Sequence, residues 1–193
     1  MIKNGILGFV LFCFGAGALF AQSAFSRGEE LFIGNEPQEA LAYLEAAAEE
    51  DPSHVKTALY LAMAYEQLGR LEDALGVYRR ILPQGGGETA RIAFNLGNAL
   101  FNLGDPASAV LAYTQAVEAD PSYAPAYLNR ANSLVKTGSP GEALVDYELY
   151  LSLEPQAPQR SRIEELILFI REESSPAGDA PEDPDGELNR ILE

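Results

Sequence analysis

The sequence predicts an all-α chain built as a solenoid of stacked helix–turn–helix hairpins, and three observations lead there. The stretch Ala90–Tyr123 reads as two amphipathic helices, Ala90–Asn102 and Pro106–Ala119, around a tight turn at Leu103-Gly104-Asp105. Its landmarks recur: the small residue Gly97 is matched by Gly28, Ala62 and Ala131, at separations of 34, 35 and 34 residues. Ala109 is matched by Ala40, Ala74 and Ala143 at the same separations. Self-similarity at this period means stacked helix pairs, each burying its apolar face against the next.

Within the reference hairpin the chemistry is that of two helices in close contact. Leu96, Gly97 and Leu100 share one stripe, and Ala109, Tyr113 and Ala116 another. Gly and Ala at a crossing let the backbones approach, while Leu and Tyr fill the space around them. Tyr113 is matched by Leu44, Tyr78 and Tyr147, and Leu100 by Leu31, Tyr65 and Leu134. Pro121, which ends the second helix because the residue before a proline is pushed out of the helical region, is matched by Pro52 and Pro155. The turn glycine Gly104 is matched by Gly69 and Gly138, with Gly34 one place early.

The residues carrying this pattern resemble the tetratricopeptide repeat (TPR) family: small at the helix crossing, aromatic or Leu below it, then Ala–aromatic–Ala and Pro. The resemblance, to an exported bacterial type, implies a right-handed α-solenoid. It divides the chain into four repeats over 22–157 (about 22–54, 55–89, 90–123 and 124–157). Repeat one departs from the family in having Arg27 beside Gly28. Repeat two ends in Pro83-Gln84-Gly85-Gly86-Gly87, read as a loop insertion with a flexible joint, since glycine adds backbone freedom. Beyond the repeats, 158–173 holds an amphipathic pattern, Arg160 to Glu173, with Ile163, Leu166, Ile167 and Ile170 on one side. It is expected to be a C-terminal capping helix over the open end of the solenoid. The segment 174–193 is rich in Pro, Gly and acid and is expected to be a disordered acidic tail.

At the other end Lys3 precedes an apolar run, Ile6 to Phe20, followed by Ala21-Gln22-Ser23-Ala24. Positive, apolar, then small is the order of a secretory signal peptide, and the run is shorter than the ~20 residues of a membrane-crossing helix. Residues 1–21 are thus expected to be a signal peptide, or else a short N-terminal anchor. The protein is then exported and periplasmic, or anchored in the inner membrane facing the periplasm. Cys13, the single cysteine, follows the bulky Phe12, which argues against lipid attachment.

Composition narrows the function. The 193 residues are 47% hydrophobic with a formal charge of −16, which supports a packed core and argues against nucleic acid, whose phosphates require cations. A membrane enters only if the N-terminal segment is uncleaved. Nothing suggests catalysis or a cofactor. His54 is the single histidine and follows Asp51-Pro52 in a loop, and acidic pairs such as Glu49-Glu50 point about 100° apart on a helix. Asp179, Asp183 and Asp185 lack the spacing of a calcium loop, and Gly85-Gly86-Gly87 lacks the Lys-Ser/Thr of a phosphate loop. No catalytic, cofactor or metal residues are expected.

The resemblance places a concave groove along the first helix of each repeat. It names Lys56, Leu59 and Met63 in repeat two; Arg91, Phe94, Asn95, Asn98, Phe101 and Asn102 in repeat three; and Leu128, Asn129, Asn132 and Lys136 in repeat four. Asparagine both donates and accepts, so a row of them can bind an extended peptide's main chain; the alternative is that they satisfy helix ends or bond across adjacent helices. Some TPR proteins grip a terminal carboxylate with Lys, Asn, Asn, Lys and Arg. Here Asn98 and Asn129 match, but Phe94, Gln159 and Ile163 replace the cations, so no carboxylate-tail ligand is expected. The expected function is a non-catalytic protein–protein interaction module or scaffold in the cell envelope, with a protein or peptide partner in the groove. One alternative is a structural component that self-associates through the solenoid ends, especially Ile163–Ile170; another is an accessory subunit of a cell-wall or envelope enzyme. The oligomeric state stays open.

Overall fold

The computed structural model of the chain describes residues 24–173. The expected signal segment and acidic tail lie outside the described residues. The described chain is all-α: α1 (24–33), α2 (Pro37–Glu50), α3 (Val55–Gln67), α4 (Leu71–Ile81), α5 (Thr89–Asn102), α6 (Pro106–Ala119), α7 (Ala124–Lys136), α8 (Pro140–Leu153) and α9 (Arg160–Glu173). It divides into two compact units at Glu88/Thr89. The first holds the hairpins α1–α2 and α3–α4, the second α5–α6, α7–α8 and the added helix α9.

All four hairpins turn by the same device. Gly69, Gly104 and Gly138 have φ of 72°, 80° and 78°, and Asn35 has φ of 61°. The left-handed residue donates to the carbonyl three positions back and the next residue to the carbonyl five back, as in Gly69 N–H to Glu66 and Arg70 N–H to Tyr65. This pair of bonds closes a helix C-terminus on a left-handed residue. Repeat one corrects the sequence reading: Gly34 is not the turn glycine shifted by one. Asn35 stands in register with Gly69 and takes the conformation itself, which asparagine tolerates better than most residues.

The helices that follow open on prolines at three of these turns, Pro37, Pro106 and Pro140, where the missing N–H has no intrahelical partner to lose. Asp105 adds a cap, its carboxylate accepting from Ser108 N–H at 3.0 Å. After α2 and α6, Asp51 and Asp120 each accept from the backbone N–H and hydroxyl of a serine two residues on, Ser53 and Ser122. These bonds hold both carboxyls below the usual range. Repeat two has no such turn. Two short 3-10 turns, Leu82–Gln84 and Gly86–Glu88, occupy the stretch expected to be a loose glycine joint.

The core is the set of small and aromatic residues shared by the repeats. Tyr78, Tyr113 and Tyr147 are almost fully buried, and Ala74, Ala109 and Ala143 are completely so. Gly97 has no alternative: a Cβ there would lie 2.5 Å from Tyr113 Cε1. In the first unit Leu31, Ala40, Leu41, Leu44, Leu61 and Ala64 form one cluster, with Phe25, Phe32 and Tyr60 packed at its edge. In the second, Ile163, Leu166, Ile167 and Ile170 of α9 are buried, and α9 packs on α8. Of the apolar residues in the range Ile163–Ile170 considered for self-association, these four are buried within the chain, whereas Leu168 is 58% exposed.

Candidate functional site

The first-helix face of the first unit is aromatic. Phe25 and Phe32 of α1 meet Tyr60 of α3 edge to face, at 6.0 and 5.4 Å between ring centres, and His54 meets Phe25 at 5.1 Å. Lys56 pairs with Glu29 at 2.9 Å and holds its ammonium over the rings of Phe25 and Tyr60. His54, expected as a free loop residue, is exposed but its ring Nδ1 is within hydrogen-bond reach of the Thr57 hydroxyl. Of the named groove residues, Lys56 and Met63 are half-buried on this face. Leu59 is not available: it is 0% exposed, and its apolar side chain serves burial rather than contact with a ligand.

In the second unit Asn98, Asn129 and Asn132 are engaged in structure. Asn98 Oδ1 accepts from the Tyr113 hydroxyl at 2.8 Å and from Asn129 Nδ2 at 2.9 Å. Asn132 Oδ1 accepts from the Tyr147 hydroxyl at 2.8 Å. A buried tyrosine carries a hydroxyl that needs a partner, and these two amides supply it. Repeat two has Met63 at the equivalent place, and there the Tyr78 hydroxyl donates to Glu66 at 2.6 Å instead. Burial holds the Glu66 carboxyl above its usual range, the tyrosine bond opposing it in part. Asn98 thus serves packing. Asn95 is half-buried, and its amide nitrogen is enclosed with no hydrogen-bond partner among the described residues. Phe94 meets Tyr113 at a tilt and Tyr123 edge to face, and Arg91 is half-buried with Tyr123 in its field. Phe101 has Lys136 Nζ 6.0 Å from its ring centre, and Asn102 is exposed.

Part of this face forms a concavity. Leu128 and Asn132 of α7, Tyr147 of α8, and Gln159, Arg162, Ile163 and Leu166 of the α9 segment line a pocket of about 150 Å³. Two of these, Leu128 and Asn132, were expected in the groove. Three of the others follow from the same spacing, since 34 residues beyond Leu128, Asn129 and Asn132 stand Arg162, Ile163 and Leu166. Its apolar lining is Leu128, Ile163 and Leu166, and the polar groups are two amides, a guanidinium and the Tyr147 hydroxyl. Burial pushes the Tyr147 phenol well above its usual value, the charge of Arg162 opposing the shift, so Tyr147 stays a neutral donor. Gln159 donates to the Tyr150 hydroxyl. Gln159 and Ile163 stand where cations of a carboxylate grip would be, but Arg162 beside them supplies one positive charge to the pocket.

A second polar feature was not anticipated. Arg130 Nε and Nη2 donate to the two oxygens of Asp146 at 2.7 Å each, and Arg130 Nη1 reaches the Thr114 hydroxyl at 3.2 Å. Asp146 is 3% exposed. One guanidinium thus joins α6, α7 and α8. Repeat three carries Leu96 and Ala112 at the matching places, both buried. Two charged residues replacing two apolar ones in a single repeat is the signal that could have revealed the pair. Among the described residues no cluster of His, Cys, Asp or Glu has the arrangement to hold a metal ion, and no helix is long and apolar enough to cross a membrane.

The architecture has known counterparts. Sequence models of the tetratricopeptide repeat match residues 31–98 and 94–159. Protein FlbA of Caulobacter vibrioides is 29% identical over 133 residues, 68% of this chain; that stretch is 22% of the length of the Caulobacter protein. Among solved structures, MamA from Desulfovibrio magneticus RS-1 superposes with a TM-score of 0.70 at 16% identity, over 90% of this chain and 93% of its own. PilF of Pseudomonas aeruginosa gives 0.69 at 19%, over 92% and 77%. YrrB, described as a TPR protein with an unusual peptide-binding site, gives 0.67 at 20%, over 88% and 83%. At these identities the structures share the fold. With two models that together span 31–159, the chain belongs to the tetratricopeptide repeat family, a fold of protein–protein interaction scaffolds.

Proposed function

We propose that the protein is a non-catalytic scaffold that holds an extended segment of a partner on the first-helix face of its second unit. The observation that carries this reading is the pocket of Leu128, Asn132, Tyr147, Gln159, Arg162, Ile163 and Leu166. It combines an apolar floor, which supplies affinity, with amides and one cation at the rim, which orient a main chain. Leu128 is half-buried and Arg162 exposed, so both are placed to meet a ligand. Asn98 and Asn129 are the wrong residues to remove first, because their loss disturbs packing. The N-terminal pattern Lys3, Ile6–Phe20, Ala21 supports export, which sets the scaffold in the cell envelope, soluble or anchored, with an envelope protein as the partner.

The test is photocrosslinking in intact cells, with a crosslinking residue at Leu128 and, as a control, at Gln38 on the exposed side of α2 in the first unit. The expected result is a discrete partner band from position 128, absent from position 38 and lost in Arg162→Glu. Equal crosslinking from both positions would refute the groove. Sequencing the mature N-terminus checks export and distinguishes cleavage after Ala21 from an intact anchor.

A further inference from the structure

The outer side of the second unit carries an apolar surface that capping does not cover. In α8, Val145, Leu149 and Leu153 recur every four residues and so share one stripe; they are 56%, 41% and 37% exposed. The opposite side of the same helix, Ala143, Tyr147, Tyr150 and Leu151, is buried. A helix that is apolar on both sides ordinarily has both sides covered. The other repeats show that the fold does not require this. The places matching Val145 and Leu149 are Gly76 and Arg80 in α4, and Leu111 and Gln115 in α6. Leu111 is itself 67% exposed. At these stripe positions large apolar side chains therefore enter in the second unit and are most numerous on its last hairpin.

Charge indicates what covers them. The sequences of α6 and α8 contain Glu118, Glu142, Asp146 and Glu148 and no Lys or Arg. Asp146 is buried on Arg130, and Glu148 is paired with Arg171 of α9 at 2.6 Å. Glu142 on α8 and Glu154 just after it remain exposed, as does Glu118 on α6. A second copy laid face to face would set acid against acid, and the chain as a whole carries −16. A partner with apolar side chains flanked by Lys or Arg satisfies both features. We propose that the outer face of α8, extended by Leu111, is a docking surface for a basic amphipathic helix of a partner protein. Its apolar stripe lies on Val145 and Leu149, and its cations lie over Glu142 and the neighbouring acids. This surface is separate from the pocket on the first-helix side, so the scaffold holds two ligands at once.

The test uses the full chain and a labelled Leu/Lys amphipathic helix of about four turns, followed by fluorescence anisotropy. Two comparison peptides accompany it: a Leu/Glu version of the same stripe, and a scrambled Leu/Lys peptide without the stripe. The Leu/Lys helix is expected to bind at least about tenfold more tightly than either comparison. Val145→Ser/Leu149→Ser and, independently, Val145→Lys are expected to lower that affinity about tenfold. Glu39→Gln/Glu72→Gln in the first unit is expected to leave it unchanged, and light scattering to show a monomer. Helical circular dichroism at wild-type strength certifies each variant. Retained affinity in both α8 variants would overturn the proposal and assign the binding to net charge. Self-association abolished by the same variants would overturn it in favour of a second copy.

Discussion

Removing the carboxylate of Asp146 is the sharpest test of how the second unit holds together. Asp146→Ala deletes the acceptor of two bonds of 2.7 Å and leaves the Arg130 guanidinium with Thr114 as its side-chain partner. Breaking a buried ion pair by removing one member costs about 3–5 kcal/mol, because a charge stays behind without compensation. The Arg130 side chain is 19% exposed against 4% for Asp146, so water relieves part of the penalty and the low end, about 3 kcal/mol, applies. For a chain of this size that is a fall in Tm of about 6–12 °C. The pair itself need not be worth that much. Arg130→Leu/Asp146→Ala installs the Leu96 and Ala112 pair of repeat three, and an ion pair replaced by matched apolar residues is often neutral. The double variant is expected within about 1 kcal/mol of wild type. Urea unfolding followed by circular dichroism measures all four corners of the cycle. A loss below about 1 kcal/mol for Asp146→Ala, or a double variant no better than the single, would refute the reasoning.

Other outcomes follow from single contacts. Gly97→Ala drives a Cβ into the buried ring of Tyr113 and should cost about 1–3 kcal/mol despite the gain in helix propensity, read as a lower urea midpoint. Asn35→Gly should raise stability by up to about 1 kcal/mol, because it relieves the left-handed penalty; Gly104→Ala, where a Cβ meets nothing, should lose about as much through φ alone. Asn98→Ala leaves the Tyr113 hydroxyl without its acceptor and should cost about 1–3 kcal/mol. Thermal melts would show this without any ligand. Glu66 has a raised carboxyl: the folded state binds more protons, so this group's contribution falls as pH rises from the ordinary carboxylate range through the folded pKa. Glu66→Gln should then raise Tm at pH 7, with the gain vanishing at pH 4 or below; an equal gain at both pH values would count against it.

Repetition made most of the fold legible. One well-formed hairpin fixes the positions of buried residues in three others, because each repeat solves the same packing problem. The first turn lies at Gly34-Asn35, and the glycine pattern does not say that Asn35 is its left-handed residue; the repeat spacing points to position 35, where only a residue tolerating φ near 60° is needed. Leu59 was misplaced because register says which way a side chain leaves its helix, not what else packs there. The α9 half of the pocket was partly within reach: carrying the spacing forward lands on Arg162 and Leu166, yet that α9 docks on α8 is a tertiary fact. The charged pair stood in the sequence as two departures from one pattern. Only their contact shows that each departure explains the other.

The Asn98 side chain has a consequence for force and compliance. Its one oxygen takes the Tyr113 hydroxyl from within its own hairpin and the Asn129 amide from the next. It therefore acts as a stop that fixes the spacing of α5 and α7. A ligand that competes for that oxygen has to spread the junction, while one that uses only Leu128 and Arg162 leaves it stiff. Binding of the first kind would bend the second unit and register as faster amide exchange at α5 and α7. Binding of the second kind would be silent there, so exchange rates measured with and without partner report which grip is used.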